Sequence, residues 1–171
     1  FTVYSVDGTA YVVDIVITGT NDVPVIESVE LEGLVTEDGA APILTDSGSI
    51  TFTDIDLTDT HVISVNYSGS THDVQLGDLL VDLSTLATGG NVGNIIWGFS
   101  VDNAAVQFLR QDQTITETYT ITINDGNGGI TTEIINIDIV GVNDIPVIDG
   151  DNNGTVVEDQ KFGHAGVLTI V

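Results

Sequence analysis

The sequence predicts an all-β chain folded as a sandwich of two packed sheets. Three observations carry that reading. Apolar residues recur with a period of two, threonines fill many of the alternate positions, and Gly-, Asn- and Asp-rich breaks separate the runs. In chain order, Val25, Glu27, Val29 and Leu31 alternate with Ile26, Ser28 and Glu30. Ile50 and Phe52 alternate with Thr51 and Thr53, and Ile63, Val65 and Tyr67 with Ser64 and Asn66. Ile95, Trp97, Phe99 and Val101 line one side of a strand whose other side offers Gly98 and Ser100, which places Trp97 in the core. Tyr119, Ile121 and Ile123 alternate with Thr120 and Thr122, then Ile135, Ile137 and Ile139 with Asn136 and Asp138. About seven strands, aliphatic inside and Thr-rich outside, suit two face-packed sheets. Only residues 103–109 hint at a helical turn, and the Gly- and Ser-interrupted stretch 70–94 is the least legible.

Charge sets the functional question. The 171 residues hold 26 Asp plus Glu against 2 Lys plus Arg, a formal charge of −24. Tracking a phosphate backbone needs clustered basic residues, and so does a basic patch on an anionic bilayer, so neither is expected. The chain is no disordered acidic tail either, because 42% of it is hydrophobic and only 16% charged. There is no cysteine, hence no disulfide or thiolate chemistry. Nineteen of the acids are Asp, a residue that favours turns over strands, so the charge is expected in the loops.

An internal repeat organises the chain. Gly19-Thr-Asn21-Asp22-Val-Pro24-Val-Ile26 recurs as Gly141-Val-Asn143-Asp144-Ile-Pro146-Val-Ile148. Gly33-Leu-Val-Thr-Glu37-Asp38 recurs as Gly154-Thr-Val-Val-Glu158-Asp159, and the stretch ending in Asp7-Gly8 echoes the one ending in Asp125-Gly126. Three anchors in one order predict a complete unit over 22–143, the closing hairpin of a preceding unit over 1–21, and the opening part of a following one over 144–171.

In an immunoglobulin-type strand order, the loops holding Asp54-Ile-Asp56-Leu-Thr-Asp59 and Asp125-Gly-Asn-Gly-Gly129 meet the incoming linker Asn21-Asp22 at one pole. Glu37-Asp38 approaches the outgoing linker Asn143-Asp144 at the other. Glu158-Asp159 would repeat that role in the following unit. Unit charges 4 Å apart repel by about 4 kcal/mol at an effective dielectric near 20, so such clusters call for a cation. Many hard oxygen donors are the ligand set of Ca²⁺, whereas Mg²⁺ keeps more of its water and Zn²⁺ asks for His or Cys. Asp59 suits either a ligand or a turn-capping role.

The series Asn-Asp-Val-Pro24, Val-Thr-Glu37-Asp38, Phe52-Thr-Asp54-Ile-Asp56-Leu-Thr-Asp59-Thr-His61, Trp97-x-Phe99-x-Val-Asp102-Asn103, Asp125-Gly-Asn-Gly-Gly129 and Gly-x-Asn143-Asp144-x-Pro146 resembles the VCBS-type, cadherin-like tandem repeats of bacterial RTX-type giant surface adhesins. The resemblance covers essentially the whole chain. It implies a cadherin-like sandwich, Ca²⁺ in the junctions, type I secretion to the cell surface, and a part in adhesion or biofilm formation. By that analogy Asn21, Asp22, Asp54, Asp56 and Asp125 share the first junction, and Glu37, Asp38, Asn143 and Asp144 belong to the second. The cadherin acidic motif of the lower loop has no clear match, Asp112 being the nearest substitute.

The expected role is a calcium-stabilised extender rather than an enzyme. His72-Asp73 lies near Ser70, but nothing places a nucleophile on a strained elbow. The paired carboxylates sit at interdomain poles rather than across a cleft. The expected partners are adjacent repeats of the same chain, with head-to-tail self-association as a further route. The alternative is a calcium-dependent carbohydrate-binding or homophilic module. No nucleic-acid partner and no membrane insertion are expected.

Overall fold

The computed structural model describes residues 1–37, 42–146, 148–149 and 169–170. Asp38, Glu158 and Asp159 therefore lie outside the described residues. The strands are β1 (Thr2–Tyr4), β2 (Ala10–Val12), β3 (Val25–Val29), β4 (Glu32–Thr36), β5 (Ile43–Thr53), β6 (Val62–Ser70), β7 (Gly77–Thr85), β8 (Val92–Asp102), β9 (Thr114–Asn124), β10 (Ile130–Val140), β11 (Ile148–Asp149) and β12 (Thr169–Ile170). A 3-10 turn at Asn103–Ala105 follows β8, with the Asp102 side chain accepting from the Ala104 N–H.

Two four-stranded sheets make the sandwich, in the orders β3-β5-β8-β7 and β4-β10-β9-β6. That is the immunoglobulin-type division of strands, A-B-E-D against A′-G-F-C. The pairings are antiparallel except for β4 beside β10, which is parallel with Glu32 opposite Asn136 and Thr36 opposite Val140. β1 with β2, and β11 with β12, form separate two-stranded pairs. Among the described residues no helix is long and apolar enough to cross a membrane.

The alternating pattern of the sequence becomes the core. Ile50, Phe52, Ile95, Trp97, Phe99, Tyr119, Ile121, Ile123, Ile135, Ile137 and Ile139 are all buried. Their in-between neighbours Thr116, Thr118, Thr120 and Thr122 face outward and are only half-buried. Two polar anchors cross this core. The Trp97 Nε1–H donates to the Glu30 carbonyl at 2.8 Å. Glu117, fully buried, accepts from the Leu76 N–H at 2.6 Å, the Gly77 N–H at 3.2 Å and the Tyr119 hydroxyl at 2.7 Å. Burial first, then the Glu117 hydrogen bond and charge, push the Tyr119 hydroxyl far above its ordinary range.

Three readings of strand position change. Ile26 packs against the core while Val25 and Val29 stay exposed, and a bulge between Ile26 and Ser28 breaks the alternation of β3. The stretch 32–36, read only as part of a motif, is a strand of its own. The illegible stretch 70–94 contains the nine-residue edge strand β7, whose outward side carries Asp78, Leu80 and Asp82. Charges on an exposed edge discourage pairing with another chain. The helical hint at 103–109 is a single 3-10 turn.

Candidate metal centre at the linker pole

The linker enters at the pole formed by the β5–β6, β7–β8 and β9–β10 loops. Asp54 follows β5, and its Oδ1 accepts from the Asp56 N–H at 3.1 Å. The β7–β8 loop braces this turn from below, with the Gly90 N–H donating to the Asp54 carbonyl at 2.7 Å and the Gly89 N–H to the Asp56 carbonyl at 3.1 Å. Asp56 Oδ2 accepts the Asp22 N–H at 2.7 Å, which ties the incoming linker to the loop. The Thr131 hydroxyl adds a second tie, donating to the Pro24 carbonyl at 2.6 Å.

Asp125 opens the β9–β10 hairpin turn. Its Oδ1 accepts the N–H groups of Asn127 at 2.8 Å and Gly129 at 2.9 Å, and its Oδ2 accepts the Asn21 amide at 2.8 Å. Those donors, Asn21 foremost, hold the Asp125 carboxyl below its ordinary value of 3.8 against the opposing effect of burial. Its stabilising contribution is therefore complete above that value and lost as pH falls through the lowered one. Gly129 leaves room for the carboxylate, since a Cβ there would collide with Asp125 Oδ2. Gly129→Ala is expected to displace the Asp125 carboxylate, melting the protein at lower temperature and weakening cation uptake in a calcium titration.

One oxygen each from Asp54, Asp59 and Asp125 lies within 4.8 Å of the others, and all three residues are buried. Such pairs repel by about 3–4 kcal/mol each at an effective dielectric near 20. Hydrogen-bond donors answer part of this. The Asn127 amide reaches Asp59 Oδ1 at 2.6 Å, Asn21 reaches Asp125, and His61 Nε2 stands 3.0 Å from Asp54 Oδ2. Asp59 Oδ2 is buried and has no hydrogen-bond partner. Three buried carboxylates drawn together, one of them with a buried, unpartnered oxygen, fit a bound cation. The donor set is all oxygen, with the one nearby imidazole committed to Asp54. That suits a hard ion of the Ca²⁺ type, and the carboxylates of Asp54, Asp59 and Asp125 would hold it. An open cleft beside the cluster is lined by Gly19, Thr20, Asn21, Asp56, Asp59 and Asn127.

The structure brings Asn21, Asp54, Asp56 and Asp125 to this pole, together with the Asp22 backbone. Asp59 joins Asp54 and Asp125 as the third close carboxylate, whereas Asp22 is exposed and engages through its N–H. Asn127 and His61 stand within the sequence motifs but outside the ligand set expected from them, and each reaches the cluster through a hydrogen bond.

At the opposite pole the parallel β4–β10 pair delivers Glu37 beside the outgoing linker, its N–H donating to the Val140 carbonyl at 2.8 Å. Glu37 is 2% exposed, and neither side-chain oxygen has a hydrogen-bond partner. Burial first, then the neighbouring Asp144 charge, push its carboxyl above the ordinary value of 4.5. Asn143 and Asp144 are exposed, and the Asn143 amide donates to the Asp144 carbonyl at 3.2 Å. Asp112, with φ 61°, contributes its N–H to the Gly141 carbonyl at 3.0 Å.

Because the folded protein raises the Glu37 value, its protonated form stabilises the fold. That contribution is whole below 4.5 and lost as pH rises through the raised value. Glu37→Gln, which removes the charge and keeps the shape, is expected to raise the melting temperature of the cation-free protein at pH 7. It should also flatten the melting temperature across that acidic window. Thermal melts from pH 4 to 8 in EDTA check both, and a variant less stable than the parent at pH 7 would refute the expectation.

The outer face of the second sheet carries a groove lined by Glu32, Leu34, Thr116, Asn136 and Asp138. Its polar groups largely pair with one another, Thr116 with Asp138 at 2.6 Å and, alongside, Thr118 with Asn136 at 3.1 Å. Trp97, the sole tryptophan, is buried and offers no stacking platform.

No protein-family model matches the chain, and no curated protein does. Among solved structures it is similar to the ASH / PapD-like domain of human CEP192, PapD-like domain 7, at 9% identity and a TM-score of 0.38, over 79% of this chain and 96% of that one. Fold and site together define an immunoglobulin-type β-sandwich with a buried acidic cluster at the pole where its linker enters.

Proposed function

We propose that this chain comes from a tandem array of sandwich units on a large secreted or cell-surface bacterial adhesin, where it serves as a calcium-stabilised extender. The observation that carries the reading is the buried triad Asp54, Asp59 and Asp125, with Asp59 Oδ2 unpaired, at the point where Asn21 and Asp22 bind down the linker. A cation there would cement the linker to the unit and so fix one unit's direction relative to the next. The complete unit, 22–143, holds thirteen Asp and six Glu against Arg110 alone, so cation uptake offsets part of a charge that nothing else in the unit neutralises.

Turn geometry supports the tandem reading. In β1–β2, Asp7 Oδ1 accepts the Thr9 N–H and Gly8 has φ 82°; in β9–β10, Asp125 Oδ1 accepts the Asn127 N–H and Gly126 has φ 82°. The side chains of β1 and β2 are all exposed, as suits a closing hairpin whose sandwich is a neighbouring unit. Export by a type I route and a part in cell adhesion or biofilm formation belong to the same proposal. The reading assigns no catalysis. Its partners are adjacent units.

Two measurements test it. Calorimetry should register calcium binding in the 10⁻⁴–10⁻³ M range, roughly that of extracellular modules. Small-angle scattering of a multi-unit chain should show a shorter, more flexible particle in EDTA. Calcium binding with unchanged maximum dimension would leave a metal site without the extender role. Reproducible glycan binding by the chain would favour the carbohydrate-binding alternative.

A further inference from the structure

His61 closes the β5–β6 loop with its side chain wholly buried. Its ring stands edge-on to Phe52, with centroids 5.0 Å apart and planes at 69°. Nε2 is 3.0 Å from Asp54 Oδ2, and Nδ1 has no hydrogen-bond partner. An ionised carboxylate only accepts, so in this contact Nε2 is the donor. The other oxygen of Asp54 is held by the Asp56 N–H at 3.1 Å. Both oxygens are thus fixed from outside the cluster, one by backbone and one by His61.

We infer that His61 is a positioning residue for the cation cluster, one that sets the plane of the Asp54 carboxylate so that it faces Asp59 and Asp125. The close ligand atoms come from Asp54, Asp59 and Asp125, and His61 acts on them through Asp54. Packing against Phe52 fixes the ring, the ring fixes the carboxylate, and the hydrophobic core thereby sets the geometry of the pole. Hydrogen bonds to ligating groups commonly matter to metal affinity by 10–100-fold. This inference rests on the calcium reading above.

The test is calcium calorimetry on the full chain and two variants, with the cation-free melting temperature of each. His61→Phe keeps a ring on Phe52 and removes the donor; His61→Gln replaces the ring and keeps a donor near the Nε2 position. The expected result is calcium affinity about 10–100-fold weaker in His61→Phe and within about 3-fold of the parent in His61→Gln. Unchanged affinity in His61→Phe would overturn the inference and leave the calcium reading standing. So would equal weakening in both variants that follows a shared fall in the cation-free melting temperature. A parent chain that takes up no calcium would remove both. Should His61→Phe fail to fold, the imidazole ¹⁵N resonances of the parent decide: a proton on Nε2, with a shift on adding calcium, supports the role. Resonances unmoved by bound calcium overturn it.

Discussion

Replacing Glu117 by alanine will lower the stability of the sandwich by about 3 kcal/mol or more, because each buried donor left without an acceptor costs about 1–3 kcal/mol. Three donors converge on that carboxylate: the N–H groups of Leu76 and Gly77 and the Tyr119 hydroxyl. The Tyr119 hydroxyl retains the Gly77 carbonyl at 2.8 Å, but the two backbone groups have no replacement of comparable reach. The loss falls where β7 begins, so the edge strand should loosen before the rest. Denaturant unfolding measures the global cost. Hydrogen exchange at Leu76 and Gly77 locates it. Glu117→Gln is a sharper control, since its amide can accept through one atom only and turns a donor toward a donor at the other. A Glu117→Ala protein within 1 kcal/mol of the parent would contradict this account of the core.

Trp97→Ala carries the other large effect, about 3–5 kcal/mol, from a buried indole replaced by a methyl group in a packed interior. The side chain is 1% exposed and lies against Gly48 on the adjacent strand β5 and Gly33 on β4 of the facing sheet. Its Nε1–H also serves the Glu30 carbonyl at the turn from β3 to β4. Truncation therefore opens a cavity and frees a carbonyl at the place where the chain crosses from one sheet to the other. Because Trp97 is the sole tryptophan, melts of this variant must be followed by far-ultraviolet circular dichroism rather than fluorescence. A loss below 2 kcal/mol would mean that the surrounding strands collapse onto the space.

The interior strands were legible because their side chains answer to one rule. Ile121, Ile123, Ile135, Ile137 and Ile139 alternate without interruption, and burial on one face follows directly. Legibility fails where geometry departs from that rule. The bulge after Ile26 breaks the alternation of β3, and a single sequence carries no sign of it. The edge strand β7 holds apolar residues on both faces, Leu79 inward and Leu80 outward, so its alternation is blurred. The candidate site divides in the same way. Asp54, Asp56 and Asp125 stood out as acids in loops that an immunoglobulin-type order brings together. Asp59 remained open between ligand and cap, and its burial is a product of three loops converging. His61 required knowing that the chain turns back onto Phe52 within nine residues, which no local pattern encodes.

The parallel β4–β10 pair has a mechanical consequence. It joins β4, the second strand after the incoming linker, to β10, the strand that precedes the outgoing one, through five residue pairs from Glu32–Asn136 to Thr36–Val140. Because β4 and β10 run parallel, tension that reaches the start of β4 and the end of β10 draws these two strands in opposite directions along their own length. Their ladder bonds are then strained together rather than peeled one after another. A unit wired in this way resists tension as a lap joint does, and a string of such units would transmit load from end to end while each one stayed folded.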